Sequence, residues 1–189
     1  MELEKIEAGF RLVLEGLGLD PRHVHLRDTP RRAAEAWLEE ICSGLRRKDF
    51  SASCYPVEEG FPPGMVALRE IPVKSVCAHH LLPFTGQATV AYLPGAMFCG
   101  LSTLSRVVDH YARRPQLQEN LTGEIARHLD EWLHPKGVGV VIRATHHCME
   151  MRGVNHGGEV TTSSLLGAFR DDPALHAEFL AVLREEQGR

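Results

Sequence analysis

Two short stretches of this 189-residue chain carry residue types that could do chemistry together. Cys77-Ala78-His79-His80 sets a thiol and an imidazole at Cys-x-x-His spacing, and His146-His147-Cys148 offers the same two groups again. Thiolate and imidazole both suit zinc, and the three-residue offset lets one turn present the pair. Alone, the first stretch reads equally as a buried thiol beside solvent-facing histidines. A strand over Val138 to Cys148 strengthens the second: it puts Val138, Val140, Ile142, Ala144, His146 and Cys148 on one face, with Arg143, Thr145 and His147 on the other. A polar pair that finishes an apolar stripe needs a partner, which a metal supplies, or for the histidine a backbone carbonyl. With Cys77, His80 and Cys148 as ligands, a fourth position stays open to water, the arrangement of a catalytic zinc. Zinc brings the pKa of that water to about 7. His79 and His146, each beside a ligand, are then placed as general acid and base. The reaction class is metal-assisted hydrolysis.

Composition sets the frame for that chemistry. The chain has 21 basic against 25 acidic side chains, a net charge of −4, which excludes a cationic nucleic-acid binder working by broad phosphate neutralisation. Hydrophobic residues at 43% and charged residues at 24% are those of a folded domain. No apolar run approaches the roughly 20 residues of a membrane span, and MELEKIEAGF is no signal peptide, so the expected location is cytoplasmic. Five cysteines at irregular spacing make a poor disulfide framework. Cys42, Cys54 and Cys99 are read as packing residues, and the lack of Cys-x-x-Cys disfavours a dithiol redox role.

The elements that must position these groups follow from periodicity. Leu3, Ile6, Phe10, Val13, Leu14 and Leu17 predict a helix ended by Gly18, and Thr29-Pro30 opens a second, with Thr29 as N-cap, running to Gly44. Residues 46–64 read as an irregular connection. Strands are expected over Met65–Val76 and Gln87–Leu93 around a turn at Pro83–Gly86. Helices follow over Leu101–Tyr111 and Leu117–Leu133, then a strand to Cys148, its antiparallel partner over Val160–Phe169, and a helix from Asp172-Pro173. The order is helices, β-β-α-α-β-β, helix: an α+β fold with an N-terminal helical region and connection (1–64) and a catalytic domain (65–189).

The chain resembles the GTP cyclohydrolase I family over nearly its whole length. The resemblance rests on Cys-Ala-His-His at 77–80, Gly-Gln-Ala-Thr-Val-Ala-Tyr-Leu-Pro at 86–94, Gly-Leu-Ser at 100–102 and Arg-Arg-Pro-Gln-Leu-Gln-Glu-Asn-Leu-Thr at 113–122. It continues through Gly-Val-Gly-Val-Val at 137–141, His-His-Cys-Met-Glu-Met-Arg-Gly-Val at 146–154 and Thr-Thr-Ser-Ser-Leu-Leu-Gly-Ala-Phe at 161–169. It implies a tunnelling fold assembled as a barrel-like homodecamer with zinc sites at subunit interfaces. It implies an enzyme of pterin biosynthesis that opens the guanine imidazole ring of GTP at C8, releases formate and yields 7,8-dihydroneopterin triphosphate. By motif, Cys77, His80 and Cys148 hold zinc, His79 and His146 handle protons, and Gln118 and Glu119 read the guanine. Ser102, Arg106 and Arg152 face the phosphates, and Arg32 reaches in from another subunit.

Four positions depart from the family pattern: Ala78 stands where Glu is usual, Thr103 replaces a phosphate-binding lysine, and Glu35 and Glu159 stand where basic residues are common. The last three swaps move local charge by about five units towards negative, and each contact charge pair is worth roughly 1 to 4 kcal/mol. They keep two alternatives open, a divergent paralogue acting on a less phosphorylated guanine derivative and a non-catalytic zinc- or pterin-binding oligomer.

Overall fold

The computed structural model describes residues 2–46, 50, 52–60 and 64–184. Helices α1 (Leu3–Gly16) and α2 (Thr29–Ala36) come first, and α2 runs on through a π-turn at Trp37–Ile41 and a 3-10 turn at Ser43–Leu45. Strand β1 (Cys54–Pro56) is followed by the long hairpin of β2 (Val66–Cys77) and β3 (Pro83–Leu93), then by β4 (Met97–Cys99). Helix α3 (Leu101–Ala112), the two-residue β5 (Pro115–Gln116) and helix α4 (Gln118–Leu133) lead to β6 (Gly137–His146). A one-turn helix α5 (His147–Glu150), β7 (Glu159–Gly167), a second single turn α6 (Ala168–Asp171) and α7 (Pro173–Arg184) complete the order.

The main sheet runs β5-β2-β3-β6-β7, antiparallel except where β5 lies parallel to β2. Its two faces bury different residues because side chains alternate along each strand. Phe84, Ala88, Val90 and Tyr92 of β3, with Val138, Val140, Ile142 and Ala144 of β6, pack under α3 and α4. Helix α4 seals that layer through Leu121, Ile125, Leu129 and Leu133, all fully buried, each contributing about 1.5–3 kcal/mol of transfer free energy. On the other face, at the far end, Ala91 and Val141 meet Phe169 of α6 and Phe179 and Leu183 of α7. Asp172 starts α7 by accepting from the Ala174 N–H at 2.8 Å.

The mixed α+β class and each long element agree with the sequence reading; four local readings do not. Residues 46–64 contain strand β1, which pairs with β4 in a separate two-stranded sheet; positions 47–49, 51 and 61–63 of that connection lie outside the described residues. Pro83–Gly86 is strand, not turn, and the reversal falls at residues 78–82. Gly86 permits this: a Cβ there would overlap the Arg143 carbonyl oxygen across β6. Strand β6 ends at His146, so Cys148 sits on the single turn α5. Finally, Asp28 occupies the cap position of α2 without a side-chain cap bond, and Thr29 is already helical, its hydroxyl donating to the His25 carbonyl at 3.4 Å. No helix among the described residues is long and apolar enough to cross a membrane.

Candidate active site

Cys77 closes β2, and the next five residues form a tight reversal. The Cys77 N–H donates to the Leu82 carbonyl at 2.9 Å, and the Leu81 N–H donates back to the Cys77 carbonyl at 2.8 Å. Leu81 sits at φ 54, a left-handed conformation that costs a bulky residue on the order of 1–3 kcal/mol. Strand β5 braces the loop from outside, its Gln116 carbonyl accepting from the Ala78 N–H at 2.9 Å. The loop delivers His80 under Cys77, with Nδ1 3.8 Å from the Cys77 Sγ. Across the sheet, β3 and β6 pair Phe84 with His146, so the turn after His146 brings Cys148 to the same place.

The result is a three-donor group. The ligand atoms of Cys77, His80 and Cys148 all lie within 4.8 Å of one another, with both cysteines buried and His80 exposed. Tetrahedral bonds of about 2.3 Å to sulfur and 2.0–2.1 Å to nitrogen put such atoms roughly 3.6 Å apart. The 3.8 Å Cys77–His80 separation fits that spacing, and the donor set is one zinc favours. Burial, and then the facing Cys77 thiol, push the Cys148 thiol above its usual range. Two thiols crowded in this way are relieved by a shared cation.

His146 stands beside the group in a well-defined seat. Its ring stacks on Phe84 with centroids 4.6 Å apart and planes 7° from parallel. Its Nε2 lies 2.7 Å from the Gln118 Oε1. Burial holds its pKa below the ordinary histidine value, partly offset by the negative field of Glu119. Gln118 is only 1% exposed, and its Nε2 donates to the Ile142 carbonyl at 3.0 Å, the Val160 carbonyl at 2.9 Å and the Thr162 hydroxyl at 3.1 Å. With its amide N–H groups turned to these acceptors, the Gln118 side chain meets His146 through Oε1. Glu119, the next residue, is exposed in the first turn of α4.

The remaining expected residues fall in three places. His79 is exposed in the loop, its ring 6.1 Å from that of His80. Arg152 is exposed just after α5, close enough for its charge to favour the Cys148 thiolate. Ser102 is exposed in the first turn of α3, and one turn on Arg106 lies over the Phe50 ring at 5.6 Å. Arg32 lies on α2, paired with Asp28 at 3.5 Å, in a groove it shares with Leu3, Glu35 and Glu39. Of the departures from the family pattern, Thr103 turns into the core at 4% exposure and Glu35 is engaged by Arg31 at 2.9 Å. Glu159 borders a groove of about 660 Å³ with Lys74 and Arg143, on the sheet face away from α3 and α4. Phe84 and Thr162 were not anticipated. The first was hidden by reading its segment as a turn, and a threonine in a strand carries no signal until register is known.

The family description "GTP cyclohydrolase I" matches residues 6–184. The chain belongs to the GTP cyclohydrolase I family. It is 45% identical over 188 residues to a GTP cyclohydrolase 1 of Sulfurihydrogenibium sp. (strain YO3AOP1), covering 99% of this chain and 98% of that one. It is 44% identical to the GTP cyclohydrolase 1 of Aquifex aeolicus (strain VF5), over 97% and 98% of the two chains, and 41% identical to that of Hahella chejuensis (strain KCTC 2396), over 98% of each. Such coverage makes it an enzyme of that family along its whole length.

Proposed function

We propose that the chain converts GTP to 7,8-dihydroneopterin triphosphate, opening the guanine imidazole ring at C8 and releasing that carbon as formate. The convergence of Cys77, His80 and Cys148 within 4.8 Å, in a chain of this family, carries the reading. Those three residues would hold zinc, which when bound supplies a Lewis acid and a water ionising near neutrality. The chain's own groups do the rest. His146, kept neutral by burial and stacked on Phe84, takes a proton during water addition and returns it as the ring nitrogen leaves. His79, exposed beside the ligand His80, serves as the second proton carrier. The Glu119 carboxylate accepts from the guanine N–H groups, a charge-assisted contact that fixes the base. Ser102, Arg106 and Arg152 take the triphosphate, guanidinium against phosphate.

Arg32 completes the phosphate site of another copy, in a tunnelling-fold homodecamer. Helix α1 supports that assembly. It buries no residue within the chain and leaves Leu12 and Val13 more than half exposed, as a face that another copy covers would be. The departures in charge do not redirect the substrate on this reading: position 103 points into the core, Glu159 borders a separate groove, and Glu35, although it shares the groove of Arg32, is paired with Arg31 at 2.9 Å.

Purified, zinc-loaded protein incubated with GTP, GMP and guanosine tests the proposal. It requires formate and a fluorescent pterin, with GTP preferred. Preference for a less phosphorylated compound would move the substrate, and no formate from any of them would overturn the catalytic reading.

A further inference from the structure

Two cysteines with no part in the proposed chemistry face each other across the small sheet. Strands β1 and β4 pair antiparallel, with Cys54 opposite Cys99, Tyr55 opposite Phe98 and Pro56 opposite Met97. One step further, the Val57 N–H donates to the Ala96 carbonyl at 2.9 Å, which makes those two residues a hydrogen-bonded pair. Bonded and non-bonded pairs alternate along an antiparallel ladder. Tyr55 and Phe98 are therefore a bonded pair, and Cys54 and Cys99 a non-bonded one. The Cys99 backbone agrees, since its N–H donates outside the ladder, to the Tyr92 hydroxyl at 3.2 Å. At a non-bonded pair the Cα atoms come to about 4.5 Å and the side chains stand closest, within the roughly 4.4–6.8 Å that a disulfide spans. Directly opposed residues point to the same face: Cys99 lies in the core at 5% exposure, and Cys54 packs against that core while partly exposed. Both are free thiols. Burial pushes the Cys99 thiol above its usual range; the Tyr92 hydroxyl offsets part of this and the nearby Cys54 thiol adds to it.

We infer that Cys54 and Cys99 form a site of reversible oxidation, joined as a disulfide by a peroxide so that β1 is stapled to β4. Cys54, the partly exposed thiol, meets the oxidant. Its sulfur attacks one peroxide oxygen, the O–O bond breaks, the departing hydroxide takes up the thiol proton as water, and Cys54 becomes a sulfenic acid. The Cys99 sulfur then attacks the Cys54 sulfur, the S–O bond breaks, and the hydroxyl leaves with the Cys99 proton as a second water. The two thiols give up two electrons, and hydrogen peroxide is reduced to two waters. Burial leaves little of Cys99 ionised, which slows this second step; its fixed place opposite Cys54 works the other way, as held reactants do. Because Gly100 and α3 follow Cys99 at once, the bond ties the connection that contains β1 to the start of that helix.

Peptide mapping of zinc-loaded protein after treatment with hydrogen peroxide tests it. Zinc loading shields a rival close pair, Cys77 and Cys148. After capping with iodoacetamide, the chain is digested with chymotrypsin, which cuts at Phe84, Tyr92 and Phe98 and so separates Cys77 from Cys99. Mass spectrometry should find one peptide pair joined through Cys54 and Cys99, and dithiothreitol should release it. The oxidised protein should melt about 5 °C above the reduced one. Cys54→Ser, a change at a partly exposed position, should show neither the link nor the rise. Recovery of Cys54 and Cys99 as separately capped thiols overturns the inference, as does a link from either one to another cysteine or oxidation confined to Cys77 and Cys148. Cys54 carried on to a sulfinic acid with Cys99 still free overturns it too. So does a linked chain that melts no higher than the reduced one, or a serine variant that gains the same rise under peroxide.

Discussion

Phe84 and His146 lie opposite each other across β3 and β6, and their rings are stacked 4.6 Å apart and 7° from parallel. One register thus fixes both the packing of a core phenylalanine and the plane of a candidate proton carrier. Phe84→Leu keeps most of the volume but removes the flat support. It should retain zinc, lose about 1 kcal/mol of stability and lose turnover out of proportion to that change. Urea unfolding and formate release, measured on the same preparation, check the pairing.

A second aromatic seat predicts a pH effect on stability. His128 is half-buried, its Nδ1 3.1 Å from the Tyr111 hydroxyl and its ring packed edge-on to Phe50. Burial holds its pKa below the ordinary value, with Glu131 offsetting part of the shift. The unfolded chain therefore takes up this proton at a higher pH than the folded chain does. The contribution of His128 is complete above about pH 6.5 and lost as pH falls through the lower, folded value. Thermal melting from pH 8 to pH 5 should show this decline, and His128→Phe, which cannot ionise, should decline less.

On the opposite face, Gly139 lets α7 approach β6. A Cβ at that position would stand 2.9 Å from Cζ of Phe179, a ring with no exposed surface. Gly139→Ala should cost about 1–3 kcal/mol through overpacking. The loss should appear as a lower urea midpoint, and Gly139→Ala combined with Phe179→Leu should recover part of it.

Much of this architecture was readable from periodicity alone. Helices α3 and α4 declared themselves because their apolar residues recur at helical spacing, and β6 because Val138, Val140, Ile142 and Ala144 alternate. The three-donor group was legible from residue types, since thiol and imidazole in two short stretches have few common uses other than holding a metal. What stayed hidden depends on long-range register. Pro83–Gly86 has turn-like composition, yet pairing with β6 holds it extended, and only then does Phe84 meet His146. Gln118 carried only the guanine-reading role that the resemblance implied; that its amide lies behind His146 depends on the register that sets the Ile142 and Val160 carbonyls beside it. Cys148 left the strand because α5 turns at once after His146, a one-turn event with no periodicity to read.

Removing single donors should separate metal retention from chemistry. Cys148→Ala is expected to lose zinc and turnover together, because two donors hold the ion poorly. His146→Ala should keep zinc and fold while turnover falls by about 10²–10⁴. Metal per chain by atomic absorption, set beside formate release, distinguishes the two.

X-ray absorption at the zinc edge of the purified protein tests the central claim most directly. The convergence of Cys77, His80 and Cys148 predicts one zinc per chain with two sulfur neighbours at about 2.3 Å and two lighter atoms near 2.0–2.1 Å. A spectrum with no sulfur neighbours, with four, or with no stoichiometric zinc to measure would contradict it.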